Sequence, residues 1–243
     1  MTGGGCHLFW GSSGAQLAAE TVEAIVIVDT LSFSTTVITA VSRGAVVYPC
    51  GEGEDSSELA RQVGGVASVH RDEVPQRGLY SLSPLTFRRV PSGTKVVLNA
   101  VNGGTCSRLV KKAPFLLVGA LINAEAAAAA VSEVLDAGRS CAVVVCGERL
   151  MEAGSGGGIR FAVEDYLGAG AILSYLECEK SAEARVCQAA FAGVREELLP
   201  ILKECDSGQE LCEMGFAGDV DFAAQLNSSD TVPIFRDGCY VKL

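Results

Sequence analysis

The sequence predicts an α/β protein, a mostly parallel or mixed sheet covered by helices on both faces. Three observations carry this. The run Ala24-Ile25-Val26-Ile27-Val28 is continuous and largely β-branched, the pattern of a strand buried on both faces. Strand-like and helix-like segments alternate along the chain, as they do where helices connect parallel strands. Polar clusters follow three strand-like segments, after Val28, Leu98 and Cys146. Their recurrence leaves two similar halves open.

The elements follow in order. After Val28 comes Asp29, then a hydroxyl-rich segment, Ser32 to Thr36, and a helix over Val37–Arg43 that closes on Gly44. Ala45–Cys50 reads as a second strand and Ser56–Val63 as a helix. Val69–Ser83 is polar and reads as a long surface connection. Lys95–Leu98 is a strand, Asn102-Gly103-Gly104-Thr105 a turn, and Cys106–Lys112 a helix. Phe115–Val118 is a short strand, and Asn123 can cap an alanine-rich helix, Ala124–Ala137. Ser140–Cys146 is another strand. A glycine-rich loop follows, with Gly154, Gly156, Gly157 and Gly158, long enough for a lid. Ala162–Leu176 reads as a helix, as does Ser181–Cys205, with a break near Pro200. Asp237-Gly238 marks a hairpin between Val232–Phe235 and Cys239–Val241.

Composition bounds the rest. With 243 residues, 49% hydrophobic and 20% charged, the chain can bury a sizeable core, which excludes disorder, collagen and a coiled coil. It reads as one domain over 1–243, and a connection near 70–90 leaves a two-lobed organisation open. A net charge of −10 carries no basic footprint for nucleic acid. An anionic ligand would need a local cation, either a metal ion or a few placed arginines. The first basic residue is Arg43, so no export signal is expected, and no apolar run approaches a membrane span. The expected setting is cytoplasmic, with reduced thiols. The ten cysteines lack CxxC spacing and accompany only two histidines, so most read as small buried hydrophobes.

Several chemistries are absent from the sequence. There is no Gly-Lys pair for a nucleotide-binding P-loop, no G-x-G-x-x-G run and no G-x-S-x-G elbow. No cysteine has an arginine six residues on, and neither histidine lies in Arg-His-Gly. Asp29 has Leu31, not Asp, two places on, so it lacks the acid/base neighbour of aspartyl-phosphate enzymes.

Three clusters remain. In the first, Asp29 can hold a hard cation at a strand end, while Ser34, Thr35 and Thr36 offer hydroxyls and N–H groups at a helix start. A plain cap would use the same residues. In the second, Asn102, Gly103, Gly104 and Thr105 permit close backbone approach to a phosphate, or form an ordinary turn. The third carries Glu148, Arg149, Arg160, Glu164 and Asp165, carboxylates for a metal and arginines for an anion, or a solvated loop and a helix's acidic first turn. Elsewhere His70-Arg71-Asp72-Glu73 reads as a solvated loop, Asp219, Asp221 and Asp230 as surface or capping residues, and His7 has no assignment.

The order of these clusters resembles the 2-phosphosulfolactate phosphatase family. The matching stretches are Asp29-Thr30-Leu31 with Ser34-Thr35-Thr36, Ser83-Pro84-Leu85, Asn102 to Thr105, and Gly119 to Ala124. Glu164-Asp165-Tyr166-Leu167-Gly168-Ala169-Gly170-Ala171 is the most specific of them. Met214-Gly215-Phe216, Phe222 to Gln225 and Val232-Pro233 complete the set. The resemblance implies a three-layer α/β/α sandwich and a Mg²⁺-dependent phosphatase. The reaction implied takes 2-phospho-3-sulfolactate to 3-sulfolactate and phosphate, a step towards coenzyme M in methanogens. Family members often carry Arg where this chain has Ser32 and Asn where it has Leu82. Arg149, Arg160 and Lys111 are the candidates to restore the charge.

The resulting expectation is a phosphomonoesterase for a small anionic phosphoester. Asp29, Arg160 and Glu164 are its catalytic residues. Asp29, Glu148, Glu164 and Asp165 hold Mg²⁺. Ser34, Thr35, Thr36, Asn102 to Thr105 and Arg149 contact substrate. The nucleophile is a water activated by the metal or, as the alternative, Asp29 itself. Another phosphoester substrate, a non-catalytic anion-binding role on the same scaffold, and a homodimer all stay open.

Overall fold

The computed structural model describes residues 4–149 and 158–243. Its strands are β1 (Cys6–Trp10), β2 (Ala24–Val28), β3 (Val46–Cys50), β4 (Val66–Ala67), β5 (Lys95–Asn99), β6 (Phe115–Gly119), β7 (Cys141–Val145), β8 (Glu148–Arg149), β9 (Ile159–Arg160), β10 (Pro233–Arg236) and β11 (Cys239–Lys242). Its helices are α1 (Gly11–Thr21), α2 (Phe33–Ser42), α3 (Ser56–Val63), α4 (Gly103–Leu109), α5 (Ala124–Asp136), α6 (Val163–Ser174), α7 (Ala182–Val194), α8 (Leu198–Glu204), α9 (Asp206–Glu213) and α10 (Ala217–Ala223).

Among the described residues, nine strands form one mixed sheet in the order β1-β7-β2-β6-β10-β11-β3-β5-β4. β1, β7, β2 and β6 run parallel, and so do β3, β5 and β4. The β10–β11 hairpin lies between these groups and pairs antiparallel to β6 and β3, so the two groups run in opposite senses. Asp237 and Gly238 both take positive φ, which forms the expected tight turn.

Alternation along β2 divides the interior. Val26 and Val28 face a core built with α5 to α10, whereas Ile25 and Ile27 face one built with α1, α2 and α4. The result is the three-layer α/β/α arrangement. Both faces of the central strands are covered, which is why they read as unbroken apolar runs. Seven of the ten cysteines are buried in these layers.

Some boundaries differ from the expectation. Helix α2 starts at Phe33, so Ser34 to Thr36 lie inside its first turn. The cause is Asp29, whose carboxylate accepts from the Phe33 N–H at 3.1 Å. Helix α4 likewise begins at Gly103, inside the expected turn. The expected helix over 181–205 is divided by a 3₁₀ turn at Arg195–Glu197, and Pro200 sits in the first turn of α8, where no N–H is needed. β1, α1, α9 and α10 have no counterpart in the sequence reading. Gly154, Gly156 and Gly157 of the expected lid lie outside the described residues. No helix among the described residues is long and apolar enough to cross a membrane.

Candidate active site

The carboxyl end of β2 places Asp29 where three segments meet. Its Oδ1 accepts from the Phe33 N–H and its Oδ2 from the Gly103 N–H at 2.8 Å, so one carboxylate ties the starts of α2 and α4 together. Gly103 has to be glycine. A Cβ there would lie 2.3 Å from the Phe33 ring and 2.8 Å from Asp29 Oδ2.

Asp165 plays the matching part on the other side. From the first turn of α6 it accepts from the Thr30 N–H at 2.6 Å and the Gly147 N–H at 3.0 Å. This approach depends on Gly168, where a Cβ would stand 2.5 Å from Thr30 Oγ1. Glu164 is buried beside it. Glu148, just past β7, accepts from Asn102 Nδ2 at 3.1 Å. The three polar clusters therefore converge.

The carboxylates are crowded and poorly hydrated. Burial pushes Asp29 up to about 6 against the pull of its two N–H donors, with repulsion from Glu164 adding to the rise. Burial and the charges of Asp29 and Glu164 raise Asp165 as well. Glu148 is pushed up to about 7 by burial and by Asp29. Such a group calls for protons or a cation. Among the described residues no three side chains form a ready-made metal cage. Oxygen donors of this kind nonetheless fit Mg²⁺, which keeps several waters and commonly takes one or two carboxylates together with substrate phosphate oxygens.

A cavity of about 490 Å³ opens beside Asp29, lined also by Ser32, Arg71, Asn102, Glu148, Ser207 and Glu210. Its guanidinium is one that the sequence reading assigned to a solvated loop. Arg71 donates through Nη2 to Ser32 Oγ at 2.7 Å and to the Leu82 carbonyl, and through Nε to Asp219 Oδ2 at 3.1 Å. The cation beside Ser32 is thus Arg71, and among the described residues none of Arg149, Arg160 and Lys111 hydrogen-bonds to Ser32. Asp219 is a buried ion-pair partner, not a surface or capping residue.

Other candidates are placed differently from the expectation. Ser34 Oγ accepts from the Asp29 N–H and donates to the Ile27 carbonyl, and Thr35 Oγ1 donates to the Thr30 carbonyl. Thr36 is buried, and its hydroxyl has no partner among the described residues. These three build the turn and do not line the cavity. Thr105 Oγ1 accepts from the Glu52 N–H, and a Cβ on Gly104 would meet the Cys50 carbonyl at 2.5 Å, so both pack against the end of β3. Arg149 pairs with Glu52. Arg160 pairs with Asp206 at 2.5 Å and Glu210 at 3.6 Å at the cavity rim.

Fold and site together define a three-layer α/β/α protein with an acid-lined cleft at the strand ends. The family model for 2-phosphosulpholactate phosphatase matches residues 13–238. The chain is 31% identical over 220 residues to a probable 2-phosphosulfolactate phosphatase of Carboxydothermus hydrogenoformans, covering 87% of this chain and 85% of that one. It is 30% identical over 215 residues to the 2-phosphosulfolactate phosphatase of Methanothermobacter thermautotrophicus, covering 88% and 87%. The protein belongs to the 2-phosphosulfolactate phosphatase family, and it is a phosphoric monoester hydrolase.

Proposed function

We propose that the protein hydrolyses 2-phospho-3-sulfolactate to 3-sulfolactate and phosphate with the aid of Mg²⁺. The observation that supports this best is the polarity of one cavity, with Asp29 and Glu148 in its lining, Glu164 and Asp165 buried close by, and the Arg71 guanidinium in its wall. A highly anionic substrate needs both, a cation held by the acids and a fixed positive group of the protein itself.

Asp29 and Glu164 are the residues proposed to hold the metal, with Glu148 and Asp165 beside them. When bound, Mg²⁺ would neutralise charge on the phosphoryl oxygens. Asp29 also fixes the starts of α2 and α4, and Asp165 fixes Thr30 and Gly147. The carboxylates therefore need little reorganisation when substrate enters. Water attacks phosphorus, the bond from phosphorus to the ester oxygen breaks, and that oxygen leaves as the alcohol after taking up a proton. Glu148 lines the cavity and is the residue proposed to carry that proton.

The deciding measurement is phosphate release from 2-phosphosulfolactate with Mg²⁺ and with EDTA, beside a simple aryl phosphate. Mg²⁺-dependent release selective for phosphosulfolactate is the expected result. Release from the aryl ester alone would discard the substrate. No release from either by folded protein would discard the reaction.

A further inference from the structure

Arg71 lies in a setting where an arginine would ordinarily be lost to its surroundings. Asp29, Glu148, Glu73 and Glu210 line the same cavity, and a long flexible guanidinium would fold onto any of them. It is held away from them. Nε is tied to Asp219 Oδ2 and Nη2 to Ser32 Oγ and the Leu82 carbonyl, while the guanidinium stands 5.7 Å from the centre of the Phe216 ring. Asp219 is itself fixed, because Ser83 Oγ donates to its Oδ1 at 2.6 Å. The Asp219 side chain is 2% exposed and that of Arg71 17%, so the anchor is buried and the cation reaches the cavity. Among the described residues Nη1 has no partner.

We propose that Asp219, braced by Ser83, is a positioning residue that holds Arg71 as the reader of a second anionic group on the substrate, apart from its phosphoryl group. The inference rests on the reading of the cavity as a phosphoester site. The acid cluster suits a cation-bound phosphoryl group. A guanidinium with one nitrogen still open suits a carboxylate or sulfonate further along the same small molecule. Asp219 acts through Arg71 alone. It keeps the guanidinium from pairing with the catalytic acids and spares the cost of ordering it when substrate binds.

The test is a double-mutant cycle in the full chain with Asp219→Asn, Arg71→Met and the pair combined. Each protein is compared on 2-sulfoethyl phosphate, 2-phospholactate and phenyl phosphate, and by calorimetric binding of sulfoacetate. Asp219→Asn should lower selectivity for the doubly anionic esters over phenyl phosphate by about 10- to 100-fold, mainly through KM, the scale of a hydrogen-bonded charge. In the Arg71→Met background it should add nothing further. The sulfonate and carboxylate esters report which anion is read. Unchanged selectivity in Asp219→Asn, or an equal loss in both backgrounds, would overturn the proposal. Should Asp219→Asn fail to fold, Ser83→Ala takes its place in the cycle with the same expectations. If the wild type releases phosphate from no ester, the phosphatase reading fails and the calorimetry decides. Sulfoacetate binding that depends on Asp219 only through Arg71 upholds the inference, and binding indifferent to both overturns it.

Discussion

Asp29 is a structural tie and, in the proposed mechanism, a metal-holding carboxylate, and one substitution separates the two. In Asp29→Asn the single amide oxygen can serve Phe33 or Gly103 but not both, which leaves one buried N–H unpaired at a cost of about 1–3 kcal/mol. Loss of the buried charge beside Glu164 offsets part of that. The variant should fold, with a near-wild-type circular dichroism spectrum, and lose activity by about a thousandfold. Full turnover would remove Asp29 from the mechanism. Residues of this kind are legible in a sequence. Asp29 follows an unmistakable strand, and Glu164 and Asp165 open a helix. Arg71 and Asp219 are not legible, because each sits in a stretch without periodicity and the pairing spans 148 positions. The basic residue near Ser32 could be expected from charge balance, but nothing local says which arginine it is.

At the scale of elements, the site depends on two helix starts packed closer than any side chain would permit. Gly103→Ala should drive a methyl group into Phe33 and Asp29 and cost about 2 kcal/mol, or roughly 4–8 °C in melting temperature for a chain of this size. Activity should fall alongside, because the same contact orients Asp29. A melting temperature equal to wild type would show that the helix start can move freely. The strand–helix alternation in the middle of the chain was plain from apolar runs and glycine stops. β1 and α1 were not, since Cys6–Trp10 is short and mixed and Gly11–Thr21 is rich in small and polar residues. Both gain their identity from tertiary pairing, β1 by joining the edge of β7 and α1 by burying Ala15 and Ala18.

For the whole molecule, the raised carboxylates set how stability follows pH. Asp29 and Glu148 bind protons more tightly folded than unfolded, so without a cation the folded state is favoured on the acid side. Their contribution is present below about pH 4 and is lost as pH rises through about 6 for Asp29 and about 7 for Glu148. Metal-free protein should therefore melt at lower temperature at pH 8 than at pH 5, and Mg²⁺ should restore much of the difference at pH 8. Scanning calorimetry with and without EDTA checks this. A metal-free melting temperature that rises steadily from pH 5 to 8 would contradict it.

The β10–β11 hairpin has a consequence for how the chain assembles. Residues 233–242 follow every other strand in sequence yet stand in the middle of the sheet, between β6 and β3. Without them, β1, β2, β6 and β7 would make one parallel slab and β3, β4 and β5 another, with no backbone pairing between the slabs among the described residues. Each slab then carries an unpaired inner edge, the kind of surface that invites pairing with another chain. Joining them demands contacts of long sequence separation, which slows closure. The same late strands that complete the sheet thus set the interval during which a nascent chain is most exposed to aggregation.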